Sequence, residues 1–170
     1  FNSLYGETFV VPKAYTPKVG ARIKSLQEPT KKMSKSESES EKAYILLLDN
    51  INQIKNKIRS AVTDNEAKIY FDEKNKPGIS NLLTIYASLT DSSIEDIVKK
   101  YENETSYQKF KEDLAEIVGS TIEKIQTRYY ELIKSNELDE ILNQGREKAQ
   151  FIAKRKMTKV LNRIGLLRQK

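Results

Sequence analysis

From residue 49 onward, apolar side chains return every three or four positions. That spacing constrains the fold more than any other feature of these 170 residues, because it is the period of a helix with one buried face. Asp49 stands where an N-cap belongs, and Ile51, Ile54, Ile58 and Val62 follow on one face. Ile69-Tyr70-Phe71 is a short apolar stop before the turn Lys76-Pro77-Gly78. Ser80 is placed to cap a helix through Leu82, Leu83, Tyr86 and Leu89, and Ser92 or Ser93 to cap another through Ile94, Ile97, Val98 and Tyr101. A longer helix is predicted from about Ser106, with Phe110, Leu114, Ile117, Ile125 and Tyr129 on or near one stripe. Ser135-Asn136 breaks it. The last helix is predicted from about Glu137 to Ile164, with Leu138, Ile141, Ile152, Val160 and Ile164 apolar and Gly165 at the C′ position. These stripes read as core.

The first 30 residues follow other rules. They hold Pro12, Pro17 and Pro29, three of the four prolines. Phe9-Val10-Val11 and Ala21-Arg22-Ile23 are short strand candidates between turn signals. Residues 29–36 are polar and cationic and read as an exposed loop. Residues 37–41 alternate Glu and Ser, a low-complexity run in which Ser38 and Glu41 fit a capping box. Two or three strands with a bare edge cannot bury a sheet on both faces, so this piece reads as incomplete. The expected fold is mainly α: a bundle of roughly five helices preceded by a strand-and-loop piece.

Composition removes several kinds of chemistry. There is no cysteine, hence no disulfide, thiolate nucleophile or Cys-based zinc site. There is no histidine, hence no imidazole base or His ligand. The longest apolar run, Ile45-Leu46-Leu47-Leu48, is far too short to cross a bilayer. With 32% charged residues and a mean hydropathy of −0.65, the chain reads as a soluble globular protein. The missing cysteines fit a cytoplasmic location. The first residue is Phe1, not Met, which fits a fragment of a longer chain as one expectation.

The net charge of +6 is uneven. Residues 1–36 are net +5, residues 37–145 net −7 and residues 146–170 net +8. Two basic ends around an acidic middle fit contact with a polyanion such as a nucleotide or a nucleic acid, and equally a set of solvated helix faces.

The most informative segment is Lys32-Met33-Ser34-Lys35-Ser36. Two ammonium groups three residues apart on a tight polar loop can converge on one polyphosphate, with hydroxyls and loop N–H groups adding hydrogen bonds. A lysine pair alone is also what a wet surface loop looks like. Here the five-residue string and its neighbours decide.

The string matches the KMSKS signature of class I aminoacyl-tRNA synthetases. Residues 1–9, Pro17-Lys18-Val19-Gly20-Ala21-Arg22-Ile23, Pro29-Thr30-Lys31, Ala61-Val62-Thr63-Asp64 and Lys76-Pro77-Gly78-Ile79-Ser80-Asn81-Leu82-Leu83 narrow the match. Together they resemble the bacterial tryptophanyl-tRNA synthetase family. The resemblance runs through essentially the whole chain and corresponds to about the C-terminal half of such an enzyme.

It implies a fold and a set of roles. Residues 1–44 would end a Rossmann-like nucleotide-binding domain and carry the signature loop at 32–36. Residues 45–134 would form the helical anticodon-binding domain, and residues 135–170 a long basic C-terminal helix. The family forms tryptophanyl-adenylate from tryptophan and Mg-ATP and transfers the tryptophanyl group to tRNA(Trp). Lys32 and Lys35 would contact the ATP phosphates, backbone groups of Ile23 and Met33 would hold the adenine edge, and Ser34 and Ser36 would support the loop. Mg²⁺ would be substrate-bound, with no protein ligand in this chain. Glu37 departs mildly from the Asp that often follows the signature. A chain without histidine cannot contain the family's His-bearing ATP segment, and the tryptophan pocket lies in the family's earlier half. The expectation is therefore that this stretch alone is inactive, and monomeric or weakly associated although the parent enzymes are homodimers.

RNA contact asks for cations and stacking aromatics. Lys55, Lys57 and Arg59 lie on the polar side of their helix, and Lys154, Arg155, Lys156, Lys159 and Arg163 make the last helix the most basic. Those charges suit either tRNA or a contact with the catalytic domain. Two rival readings are a stand-alone helical RNA-binding module, which leaves the first 36 residues unexplained, and a tyrosyl-tRNA synthetase fragment, against which Gly78-Ile79-Ser80-Asn81 argues.

Overall fold

The structure is a computed structural model describing residues 1–16, 20, 22–38 and 40–166. Six α-helices account for most of it: α1 (Asn2–Tyr5), α2 (Ile51–Arg59), α3 (Pro77–Thr90), α4 (Ile94–Lys100), α5 (Gln108–Leu132) and α6 (Glu137–Arg163), with a 3₁₀ turn at Glu41–Ala43. The chain divides into two compact units, Phe1–Tyr15 with Tyr129–Lys170, and Thr16–Arg128. No helix among the described residues is long and apolar enough to cross a membrane.

The mainly helical expectation holds, and the strands do not form. Phe9-Val10-Val11 is irregular, with Val10 89% exposed. Of the second candidate, Arg22 and Ile23 are irregular and Ala21 lies outside the described residues, as do Pro17, Lys18 and Val19 of the family-like segment. Among the described residues the one β feature is an isolated antiparallel bridge between Lys24 and Lys32. A strand needs a partner for its N–H and C=O groups, and no segment among the described residues lines up to supply one.

In the unit Thr16–Arg128 most of the helical stripes become core, although Leu89 and Ile125 are 40% and 46% exposed. Ile54, Ile58, Ile79, Leu82, Leu83, Phe110 and Leu114 are essentially inaccessible to solvent. The rings of Tyr86, Tyr101 and Phe110 pack together, with Phe110 edge-on to Tyr101 at 5.2 Å and stacked on Tyr86 at 5.9 Å. Helix starts match the sequence signals within a few residues. Ser93 caps α4, its Oγ accepting the Asp96 N–H at 3.1 Å. The α2 cap is Asn50, not Asp49, with Oδ1 accepting the Asn52 N–H at 2.9 Å. Asp49 is drawn off by the Leu46 N–H (3.0 Å) and Lys57 Nζ (2.6 Å). Val62 lies past the end of α2 and is exposed. Ser80 does not cap α3. That helix begins at Pro77, whose missing N–H and fixed φ suit a first turn, and Ser80 is buried with its Oγ accepting the Asp72 N–H. Ser40, not Ser38, caps the 3₁₀ turn through the Lys42 N–H; Glu39 lies outside the described residues.

The other unit is thinner. α6 ends as predicted: Gly165 has φ +76°, Leu166 N–H donates to Leu161 C=O at 3.0 Å, and Gly165 N–H to Asn162 C=O, a Schellman pair. The α6 stripe differs from expectation. Val160 is buried, but Leu138, Ile141 and Ile152 are 41%, 49% and 67% exposed. Among the described residues, the only other helix wholly within this unit, α1, is four residues long and cannot cover a 27-residue helix.

Candidate functional site: the signature hairpin

Residues 23–33 form a small hairpin. Its turn is Glu28-Pro29-Thr30-Lys31, closed by Lys31 N–H donating to Glu28 C=O at 2.8 Å, with Pro29 at the position where a fixed φ helps. Ser25 Oγ accepts the N–H groups of Gln27 and Glu28. Across the hairpin, Ser25 N–H donates to Lys31 C=O at 2.9 Å and Met33 N–H to Ile23 C=O at 3.1 Å. Leu26 anchors the base. Its side chain is in the core, its N–H donates to Ala43 C=O at 2.9 Å, and its C=O accepts the Val62 N–H at 2.8 Å. Met33 packs against the same core.

The structure brings Ile23, Lys32 and Met33 together on this hairpin. Ile23 C=O and the Met33 N–H are bonded to each other. Lys32 sits on the bridged part and Lys35 three residues on, in irregular chain with Ser34 and Ser36. Lys32, Lys35 and Ser36 are exposed, and Ser34 is half-buried. Among the described residues no hydrogen bond or ion pair engages the ammonium of Lys32 or Lys35. A cavity of about 410 Å³ lies beside the hairpin, lined by Arg22, Lys24, Thr30, Glu73 and Asn81 among others; neither signature lysine lines it.

The second motif, from Lys76 to Leu83, explains how the hairpin is held. Lys76 is only 2% exposed. Its Nζ donates to Lys68 C=O at 2.6 Å, lies 3.1 Å from Glu66 and 3.3 Å from Asp64, and sits 4.2 Å from the Tyr70 ring centre. Burial alone would push the ammonium pKa down, but contacts with Tyr107, Glu66 and Asp64 outweigh it and raise it. Gly78 allows the chain at Val62 to approach, since a Cβ there would collide with Val62 C=O. Lys111 Nζ donates to Ala61 C=O (2.8 Å) and Thr63 Oγ1 (3.0 Å), and burial lowers its pKa. Asn81 binds the hairpin itself, through Lys24. The sequence quotes these residues only as a motif; none of their internal partners is visible at linear spacing.

Six of the other cations singled out in the sequence are engaged. Lys55 pairs with Glu116 at 2.6 Å, Lys57 with Asp49 at 2.6 Å, and Arg59 reaches Glu116 at 3.6 Å. On α6, Lys156 Nζ donates to Thr8 C=O (2.7 Å), Lys159 Nζ to Glu7 C=O (3.3 Å) and Arg163 Nη1 to Tyr5 C=O (2.7 Å).

Lys32, on the core-anchored hairpin, and Lys35, just past it, are both exposed, and comparison with known proteins gives the chain a family. Residues 1–123 match the family described as tRNA synthetases class I (W and Y), and the chain belongs to that family. It is 51% identical over 170 residues to the tryptophan–tRNA ligase of Bacillus subtilis (strain 168), and 51% identical over 169 residues to that of Oceanobacillus iheyensis. These alignments cover 100% and 99% of this chain and 51% of each relative, so the chain spans about half the length of the curated relatives it matches. The crystal structure of tryptophanyl-tRNA synthetase from Mycoplasma pneumoniae superposes with a TM-score of 0.81 at 29% identity, over 98% of this chain and 50% of that one. The Campylobacter jejuni tryptophanyl-tRNA synthetase gives 0.61 at 30% identity, over 97% and 49%.

Proposed function

We propose that this chain supplies the ATP-phosphate loop and the tRNA-binding helices of a tryptophan–tRNA ligase. The observation that carries the reading is that Lys32, on a hairpin anchored in the core, and Lys35, just past it, stand exposed with no ammonium partner among the described residues. In the proposed reaction the tryptophan carboxylate attacks the α-phosphorus of ATP, pyrophosphate departs, and tryptophanyl-adenylate forms. A terminal ribose hydroxyl of tRNA(Trp) then attacks the adenylate's acyl carbon, the tryptophanyl ester forms, and AMP departs. Negative charge grows on the departing pyrophosphate, and two ammonium groups placed there stabilise it more than they stabilise bound ATP. Mg²⁺ comes with the nucleotide and supplies further positive charge at the phosphates.

The remaining roles follow the family resemblance. Ile23 and Met33 meet the adenine edge with backbone groups other than the Ile23 C=O and Met33 N–H that bind each other. Ser34 and Ser36 support the loop between the lysines. Residues 1–44 serve as the end of a Rossmann-like domain, residues 45–134 as the anticodon-binding domain and residues 135–170 as the basic C-terminal helix, with the working enzyme a homodimer.

Tryptophan-dependent ATP–pyrophosphate exchange tests this, in a chain extended to the length of its relatives. Lys32→Ala or Lys35→Ala should each slow exchange about a hundredfold, the size expected for one lost electrostatic donor. An undiminished rate in the double variant overturns the reading. The 170 residues alone hold one side of such a site and should show no exchange above a blank.

A further inference from the structure

The signature hairpin has an outer edge, and it ends at Lys24. In the Lys24–Lys32 bridge the cross-hairpin bonds are made by the flanking residues, Ser25 to Lys31 and Met33 to Ile23. In that antiparallel geometry the N–H and C=O of Lys24 point away from Lys32, towards the line a third strand would occupy. No strand lies there among the described residues. The side chain of Asn81 does. Its Oδ1 accepts the Lys24 N–H at 2.8 Å, and its Nδ2 donates to Lys24 C=O at 2.9 Å. One carboxamide thus supplies the donor and acceptor that a neighbouring strand residue would have supplied.

Asn81 is itself held firmly. It is 5% exposed, in the first half of α3, between Ile79 at 0% and Leu82 and Leu83 at 1% and 0%. The helix therefore sets where the carboxamide lies, and the carboxamide sets where Lys24 lies. The geometry points to Asn81 as a positioning residue for Lys32, coupling α3 to the signature loop through the Lys24 backbone. This rests on the proposed role of Lys32 at the ATP phosphates. Few replacements can do the same. Aspartate keeps an acceptor but has no donor for Lys24 C=O, alanine has neither, and glutamine is longer by one methylene.

Two measurements test it. The first uses this chain and needs no activity: amide hydrogen exchange at Ser25 and Met33 in Asn81→Asp and Asn81→Ala, with Thr84→Ala, one turn along α3, as control. Loss of the clamp should speed exchange at those two amides about tenfold while the α5 amide of Leu114 keeps its wild-type rate, and the control should match wild type. Unchanged exchange at Ser25 and Met33 overturns the proposal. So does equal acceleration at Leu114, which would make Asn81 a general packing residue. The second uses the chain at its relatives' length. The Asn81 variants should lower ATP–pyrophosphate exchange turnover about tenfold with the KM for tryptophan unchanged, because the loop is misplaced and the amino-acid pocket is not. Full turnover with loosened amides removes the positioning role. If the wild-type enzyme shows no exchange at all, the proposed activity fails, while the amide measurement still decides whether the clamp exists.

Discussion

Lys32 and Lys35 in the signature hairpin, and Lys156, Lys159 and Arg163 on α6, look alike as sequence: clustered cations, three or four residues apart, in basic ends of the chain. In space they are opposites. The α6 cations each donate to a main-chain carbonyl, of Thr8, Glu7 and Tyr5 in turn. Among the described residues, the ammonium groups of Lys32 and Lys35 donate to nothing. A count of charges cannot separate the two. What separates them is whether carbonyls short of a donor lie within reach. The segment 5–8 wraps around the Gly6 turn and leaves such carbonyls facing α6, so cations there tie the chain. The carbonyls of Ile23 and Lys31 already accept from Met33 and Ser25 across the hairpin, and those of Lys24 and Leu26 from Asn81 and Val62.

The sharpest break of this comparison is reciprocal. Removing Lys32 and Lys35 together should cost at least about a hundredfold in pyrophosphate exchange by the full-length enzyme. The thermal midpoint should stay within a degree or two, since surface substitutions of this kind move stability little. Replacing Lys156 and Lys159 by alanine should do the reverse: ATP-dependent turnover near wild type, and faster amide exchange through residues 5–9. Crossed results, with stability lost at the hairpin and turnover lost on α6, would erase the distinction.

A second prediction adds the extreme case, a cation whose partners all lie inside the protein. Lys76→Met keeps the stem of a side chain that is 3% exposed but removes the charge facing Asp64 and Glu66. Breaking a buried pair from one side typically costs 3–5 kcal/mol; with both carboxylates partly exposed, about 2 kcal/mol is expected. Urea denaturation would read it as a lower midpoint at unchanged slope. No change would mean that water already shares those carboxylates.

Much of this could be read from the residues in order. Helix periods, the Ser93 cap, the Ser135-Asn136 break and the Gly165 terminus depend on neighbours within one turn, so linear spacing carries them. The signature string located the loop for the same reason. The failures share the opposite cause. Phe9-Val10-Val11 has β-forming residues, but a strand is made by its partner, and none is there among the described residues. The α6 stripe has the period of a buried face, yet periodicity does not say what covers it. Asn81 and Lys24 are 57 residues apart, and Lys76 draws its partners from positions 64, 66 and 68. No local rule joins them.

Acid offers a third way to sharpen the contrast. Burial pushes the Asp64 carboxyl up, but hydrogen bonds from Tyr107, the Glu66 N–H and Lys76 outweigh it and hold the group below its ordinary 3.8. The Lys76 bond holds Glu66 below its ordinary 4.5. A carboxyl whose folded pKa lies below its unfolded one stabilises the fold above the unfolded value, and loses that contribution as pH falls through the folded one. Denaturation midpoints should therefore be level near neutrality and drop below about pH 4. In Lys76→Met the drop should be shallower, because part of what acid removes is already gone. An identical acid limb in both proteins would place the titrating carboxylates elsewhere.

The smallest effect belongs to the α6 tie. Tyr5 and Arg163 are both exposed, so water replaces much of what Arg163→Ala removes, and a loss of about 0.5–1 kcal/mol is expected. Gly6 makes the contact testable more finely. Its φ of +77° strains any other residue there, and a Cβ would also meet Arg163 Nη1. Gly6→Ala should therefore cost slightly more in wild type than in Arg163→Ala, where only the backbone strain remains. The guanidinium is the far end of a flexible side chain and can swing aside, so the coupling should stay below about 1 kcal/mol in a double-mutant cycle. Equal costs in both backgrounds would show that Arg163 yields freely and that α6 holds the Gly6 turn through its two lysines. A coupling well above that bound would make Arg163 a fixed strut, as fully committed to its internal partner as Lys76.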